Sequence, residues 1–359
     1  MIFALLKFLV CAAFATGVFW LAVAGLSAFW RGYYHRERNC DETHFVTTPD
    51  GWRLAMHRYV PKEPRADGAR VLLVHGLGGN SMNWDLSERQ SLPLFLARAG
   101  FEAWTLDLRG AGMSSKPRRR GPRRFDYDFD DHLGKDLPTA IGYLTSRAAG
   151  PVHYVGHSMG AMLGYALLPT ETGKAIRSAV LLAGPGRLDN FYYPAATRLG
   201  WLIAQVPSFA FGTITKVAAP LFERFPSLPR RIGLKADNLL PGDAAAAAAN
   251  NQDNVPMRLM LQFSRWAEMD AKSLGEPEFR RGVASIATPA LVMAGADDLI
   301  APADGVRWLY ERLGSPDKRV VLLGRGEGFR HDYEHGDIQL GRWARDEVFP
   351  RIADWFAGH

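Results

Sequence analysis

Cysteine is scarce in this chain: two residues, Cys11 and Cys40, in 359. That excludes a disulfide framework, and neither cysteine has a second one at metal-ligand spacing. There is no G-x-x-x-x-G-K-[ST] phosphate loop and no G-x-G-x-x-G fingerprint, so no nucleotide site is expected. No helix-turn-helix, zinc finger or aromatic-basic RNA module is present, and a formal charge of +6 is modest for the length. The expectation is therefore no cofactor, no metal, no nucleic acid and no obligate protein partner. Internal repeats are missing too. What is plentiful is apolar residues, 47% of the chain. That suffices for one large α/β domain with an insertion, or for two domains.

Charge is absent altogether from residues 8–30. As a helix this run would be about 34 Å long, enough to cross a bilayer core. A cleaved signal peptide has an apolar region of roughly 7–15 residues and a small-x-small cleavage site. This run is longer and ends in bulky Phe29 and Trp30. An uncleaved single-pass anchor with a basic flank, residues 1–38, is expected. Lys7 lies on one side of it; Arg31, Arg36 and Arg38 lie on the other. The positive-inside bias then favours a cytoplasmic C-terminal domain.

After the anchor the pattern alternates. Residues 43–59 read as a hairpin turning at Pro49-Asp50-Gly51. Strands are expected over 70–75, 101–108, 152–155 and 178–183, with helices over 92–99, 131–146 and 161–168. The alternation breaks from 187 to 287, a stretch rich in Phe, Tyr, Trp and Pro with a polyalanine run, Ala244 to Ala249. It resumes with a strand over 289–294, a helix over 304–313, a strand over 318–323 and a last helix over 339–356. Strand-helix alternation argues a mostly parallel sheet covered on both faces. A hundred-residue insertion between core strands reads as a helical lid. The expected organisation is a core over 39–186, a lid over 187–287 and a second core part over 288–359.

Gly156-His157-Ser158-Met159-Gly160 follows a strand and precedes a helix. This is the context of a nucleophile elbow, where a tight turn lifts a serine hydroxyl out of the sheet and flanking glycines take the strained angles. Ser158 then needs an acid and a histidine later in the chain, in that order. The acid is sought after the 289–294 strand, where Asp297 and Asp298 stand together. Asp298 is preferred, three residues beyond Gly295 and four before Pro302; Asp297 is the alternative. For the histidine, His331 and His335 lie in the last strand-helix loop, and spacing does not separate them. His359 is terminal. The oxyanion donors are expected to be the backbone N–H of Met159 and one from His75-Gly76-Leu77-Gly78-Gly79-Asn80, that of Leu77. Asp107 precedes the serine and reads as a structural turn residue. The basic run of Lys116, Arg118, Arg119, Arg120, Arg123 and Arg124 reads first as a solvated loop. Its functional alternative is contact with anionic lipid headgroups.

Together these segments resemble the α/β-hydrolase superfamily, and within it the acid lipases of gastric and lysosomal type. Residues 45–59 (FVTTPDGWRLAMHRY) resemble their opening hairpin, 73–84 (LVHGLGGNSMNW) their oxyanion loop, and 96–110 (LARAGFEAWTLDLRG) the helix, strand and turn that follow. Residues 129–143 and the elbow fit as well, except that Met159 stands where those lipases carry glutamine. Residues 254–267 (NVPMRLMLQFSRWA) resemble a lid segment, and the acid-bearing turn matches on Asp298. Tyr333-Glu334-His335-Gly336-Asp337 resembles their Y-x-H-x-D signature and so favours His335. Polyester synthases of the same superfamily carry cysteine at the elbow.

The resemblance implies a membrane-anchored serine hydrolase of the α/β-hydrolase fold, cleaving carboxylic esters through Ser158, Asp298 and His335. Aromatic residues in the lid point to an apolar acyl group. Acyl transfer by the same triad, or an inactive tethered scaffold, are the alternatives.

Overall fold

The computed structural model describes residues 2–117, 124–189 and 206–359. Arg118, Arg119, Arg120 and Arg123 of the basic run, and positions 190–205 of the expected lid, lie outside the described residues. Ten strands are described: β1 (Glu42–Thr47), β2 (Arg53–Tyr59), β3 (Arg70–Val74), β4 (Glu102–Asp107), β5 (Val152–His157), β6 (Ile176–Leu182), β7 (Ser208–Phe209), β8 (Val255–Pro256), β9 (Ala290–Gly295) and β10 (Lys318–Leu323). Eight form one sheet in the order β1-β2-β4-β3-β5-β6-β9-β10, and β7 pairs with β8 alone. β1–β2 and β2–β4 are antiparallel; every later pairing in the large sheet is parallel. The hairpin closes as expected, with Gly51 at φ +86 and its N–H donating to Thr48 O at 2.9 Å.

β3 is buried along its whole length, which is why it reads as an uninterrupted apolar run. Helix Leu92–Arg98 packs against helix Phe349–Ala357, and helix Met159–Leu167 packs against β5 and β6. Two expected helices are corrected. The one over 131–146 is a turn, Phe129–Asp131, then a π-helical turn, His132–Asp136, then Leu137–Arg147. Pro138 lacks the N–H that a regular α-helix would use there. The one over 339–356 is three pieces, Asp337–Leu340, Ala344–Glu347 and Phe349–Ala357. Gly341 turns to an extended conformation, and Pro350 opens the last piece.

Between β6 and β9 the main helices are Phe211–Arg224, Asp243–Asn250 and Met257–Lys272. Ala244 to Ala249 are all buried, and their small side chains let Ala219, Phe222 and Leu340 close around them. Trp30 and Tyr34 pack on this same cluster. Trp30 lies in the last turn of the N-terminal helix, Ile2–Tyr33, and Tyr34 directly follows it; within that helix Val10–Tyr33 is long and apolar enough to cross a membrane, with mean hydropathy 1.9. The Asn250 side-chain amide donates to Tyr34 O at 2.8 Å and its Oδ1 accepts from the Arg36 N–H at 3.2 Å.

Asp107 ends β4 and is fully buried. It accepts the N–H groups of Ser81 and Met113, both at 2.7 Å, and pairs with His57 Nε2 at 3.1 Å. It holds turns, as its place before the serine suggested. Burial disfavours its charge, but His57 and Arg38 hold it well below the usual carboxylate range.

The sharpest constraint lies where β5 passes into helix Met159–Leu167. Ser158 has φ +57 and ψ −119, a conformation costly for a residue with a side chain. Its N–H donates to Leu182 O of β6 at 2.9 Å. The flanking glycines serve closeness and not left-handed backbone angles, a correction to the sequence reading: only Ser158 has positive φ there. A Cβ on Gly156 would collide with the Gly160 carbonyl, and one on Gly160 with the Val74 carbonyl of β3. Gly160→Ala is expected to destabilise the protein by about 3 kcal/mol, because the obstruction is backbone and not a movable side chain. Gly326→Ala, with open space around it, should leave the unfolding temperature unchanged. Thermal unfolding of both variants beside the wild type checks this.

Candidate active site

Ser158 lines a cavity of about 230 Å³ whose wall also includes His335, Gly76, Leu77 and Gln339. The rest of the wall is largely apolar, with Phe209, Phe211, Val255, Met260 and Phe263 from the insertion. Asp298 stands just past β9, and His335 in the loop after β10. Asp298 Oδ2 lies 2.9 Å from His335 Nδ1. Its other oxygen accepts the N–H groups of Ile300 and Ala301, at 2.8 and 2.7 Å. The carboxylate is thereby fixed as an acceptor, which puts the proton on Nδ1 and leaves Nε2 free. Burial works against a charged His335, yet the Asp298 carboxylate holds it above the ordinary histidine value. Among the described residues no direct hydrogen bond joins Ser158 Oγ to His335; the two face one cavity, and such contacts are commonly loose without substrate.

The two alternatives are engaged elsewhere. His331 Nε2 lies 3.3 Å from Asp237 and its Nδ1 is 3.0 Å from Asp332 O. Asp297 pairs with Arg230 and Lys235, at 2.9 and 2.8 Å.

The Gly76–Leu77 peptide is aimed by its own carbonyl. Gly76 O accepts from Gly79 N–H at 3.1 Å and from His75 Nδ1 at 2.9 Å. A trans peptide points the Leu77 N–H the opposite way. His75 Nε2 in turn accepts the Leu108 N–H at 3.2 Å, and burial keeps the ring below the ordinary histidine value, hence neutral. Gly76 abuts the turn at Ser158 so closely that a Cβ there would be 2.8 Å from Ser158 Cβ. Among the described residues, neither the Leu77 nor the Met159 N–H has a backbone partner.

Four further residues bear on the site and escaped the sequence reading. Glu334 accepts the N–H of Leu299 through Oε1 at 3.0 Å and that of His335 through Oε2 at 2.9 Å, tying the acid turn to the histidine loop. Burial raises its carboxyl above the usual value, and the nearby Asp298 charge adds to this. Asp337 accepts the Glu334 N–H at 2.6 Å and the Asn238 amide at 2.8 Å. His157, inside the pentapeptide, accepts from Gln339 Nε2 and donates to His335 O, both at 3.0 Å; burial holds it neutral. Asp253, from the insertion, donates its N–H to Gly78 O at 2.6 Å and accepts from Asn80 Nδ2 at 2.9 Å. Glu334 and Asp337 flank His335 in the quoted signature, so proximity in sequence was a usable signal. Asp253 offered none. Among the described residues, no group of three His, Cys, Asp or Glu side chains is placed to hold a metal ion.

Comparisons with known proteins identify the family of the fold. The model for the alpha/beta hydrolase fold matches residues 69–329, and that for a partial alpha/beta-hydrolase lipase region matches residues 34–88. Triacylglycerol lipase 2 of Arabidopsis thaliana is 25% identical over 88% of this chain and 84% of its own length. Lipase member K of Homo sapiens is 27% identical over 91% and 88%. Gastric triacylglycerol lipase of Homo sapiens is 31% identical, over 52% of this chain and 49% of its own length, so the resemblance to gastric-type lipases is borne out. A soluble variant of monoglyceride lipase from Saccharomyces cerevisiae shares the fold, with TM-score 0.57 and 19% identity over 91% of this chain and 98% of that one. The chain belongs to the α/β-hydrolase fold family and is of its lipase/esterase type.

Proposed function

We propose that this protein hydrolyses carboxylic esters bearing an apolar acyl group, with Ser158 as nucleophile, His335 as base and Asp298 as the orienting acid. The observation that carries the reading is the 2.9 Å Asp298–His335 pair opening on the same cavity as Ser158. His335 Nε2 takes the Ser158 proton as the oxygen attacks the ester carbonyl. The tetrahedral oxyanion accepts from the N–H groups of Leu77 and Met159. His335, now charged against Asp298, passes the proton to the leaving alcohol, and an acyl-enzyme remains. Water repeats the cycle and frees the acid. Glu334 positions the loop that carries His335. The ester bond is the one named for the lipase relatives, and the apolar cavity wall suits an acyl chain.

The protein is read as anchored by its N-terminal helix, with the hydrolase domain on the cytoplasmic side, where Arg31, Arg36 and Arg38 flank the span. Residues 1–38 form the anchor and flank, 39–186 and 288–359 the core, and 187–287 a cap over the cavity.

A fluorophosphonate probe should label the wild type and not Ser158→Ala. Across p-nitrophenyl esters of graded acyl length, wild-type kcat/KM should rise from two carbons to longer chains and fall to background in that variant. Labelling that survives the substitution would mean a different nucleophile.

The neutral imidazole is the working form, so activity is lost as pH falls through the His335 value. Because Asp298 holds that value up, the acid limb of kcat/KM should lie above about pH 6.5. Asp298→Asn should move the limb to lower pH and cut kcat by about 10⁴-fold. Glu334→Gln places an amide donor against one of two backbone N–H groups. It should reduce kcat about tenfold or more with KM little changed, as read by steady-state kinetics on the folded variant.

A further inference from the structure

A second cavity, of about 590 Å³, separates the N-terminal helix from the hydrolase domain. Its two walls differ in chemistry. The helix contributes Trp20, Val23, Ala24, Ser27 and Ala28, a strip about 12 Å long that is apolar except for the Ser27 hydroxyl. Arg31 follows, three residues beyond Ala28 and so on the same face. Across the cavity stand Lys116 and Lys216, with Asp253 the carboxylate among the lining residues. Lys116 reaches Asp253 at 3.2 Å and Gly110 O at 3.1 Å, and Lys216 donates to Gln252 O. Arg31 has no carboxylate partner among the described residues. Burial holds Lys216 below the ordinary lysine value, and the charges of Lys116 and Arg31 push the same way against Asp253. Three cations thus crowd one carboxylate at the end of this strip.

We propose that this cavity seats an anionic phospholipid, its phosphate on Arg31, Lys216 and Lys116 and an acyl chain along the strip from Ala28 to Trp20. The proposal rests on the reading of Ile2–Tyr33 as a membrane anchor. A phosphate fits better than a carboxylate because its oxygens accept from several directions at once, and a guanidinium can meet two of them. The chain wall fits because the same helix also exposes Phe14, Val18 and Leu21, where lipid would surround it. The ligand would relieve the crowding of like charges and fill the gap between anchor and domain. Lys116 of the basic run would meet headgroups inside a built site and not only as a surface charge.

The full chain, purified in detergent, is offered phosphatidylglycerol, phosphatidylcholine, oleate or inorganic phosphate, and retention is read by native mass spectrometry. One phosphatidylglycerol should be retained in preference to the other three. Arg31→Gln should weaken that retention about fivefold, and Arg31→Gln with Lys216→Gln about 25-fold, while Arg31→Lys keeps most of it. Hydrolysis of a short soluble ester by Arg31→Gln, unchanged from wild type, reports that it is folded. Equal retention of phosphatidylcholine, preference for oleate or free phosphate, or indifference to Arg31→Gln overturns the proposal. Release of the wild type from membranes by alkaline carbonate overturns the anchor reading separately, since lipid preference is read in detergent.

Discussion

The carbonyl oxygen of Val74 and the Cα of Gly160 approach so closely that no side chain fits between them, and this contact decides where Ser158 can stand. It seats helix Met159–Leu167 directly on the end of β3, while β5 and β6 hold the other side of the turn. With both ends clamped, the chain at Ser158 is forced to φ +57. The cost of that angle is met by packing over the fully buried strands β3 and β5. The same closeness brings Gly76 against Ser158, so the proposed nucleophile and the proposed oxyanion loop are set by one event. Remove the glycine and the geometry of all three changes together.

The remaining site residues arrive on loops, and loops need their own fastenings. These are almost all side-chain carboxylates accepting backbone N–H groups. Asp298 grips Ile300 and Ala301, Glu334 grips Leu299 and His335, Asp337 grips Glu334, and Asp107 grips Ser81 and Met113. Such bonds cost little in side-chain freedom when buried, and each one orients a peptide plane as well as a side chain. His157 adds a neutral link, joining the elbow to the backbone of the histidine it precedes in space. Asp253 brings the insertion into the same scheme through Gly78 and Asn80, so the loop that holds Gly76 and Leu77 is bounded by core on one side and insertion on the other.

The insertion is also where the N-terminal helix docks. Trp30 and Tyr34 rest on the polyalanine helix, and helix Phe211–Arg224 runs beside the N-terminal one. Phe211 lines the cavity that holds Ser158, and Thr213 and Lys216, two and five residues further along the same helix, line the cavity beside the N-terminal helix. A single helix therefore separates the proposed lipid site from the proposed catalytic one. Asp253 borders the lipid cavity while holding Gly78, so the two sites share a wall as well as a helix.

Much of this was legible beforehand, for reasons that can be named. Strands buried on both faces must be apolar runs, so the parallel sheet announced itself. The elbow needs small residues at fixed offsets around a serine, so the pentapeptide did too. Chain order and the place after a core strand narrowed the acid to Asp297 or Asp298, and order with loop position narrowed the histidine to His331 or His335, His359 being terminal. Helix boundaries near Pro138 and Gly341 were misread because periodicity persists through a π-turn and a break. The glycines of the pentapeptide were given the wrong role, since sequence does not say whether a glycine relieves an angle or a collision. Which of His331 and His335 meets Asp298 is a matter of loop direction, set by Glu334 and Asp337 bonds that no spacing rule encodes. Local chemistry, the long apolar N-terminal helix, the sheet and the order of the candidate functional groups were thus determined by the sequence. The meeting of Asp298 with His335 on the cavity that holds Ser158, the reach of Asp253 to Gly78 and Asn80 and the charged cavity behind the insertion were decided by tertiary structure, because each joins segments whose separation along the chain carries no information about their distance in space.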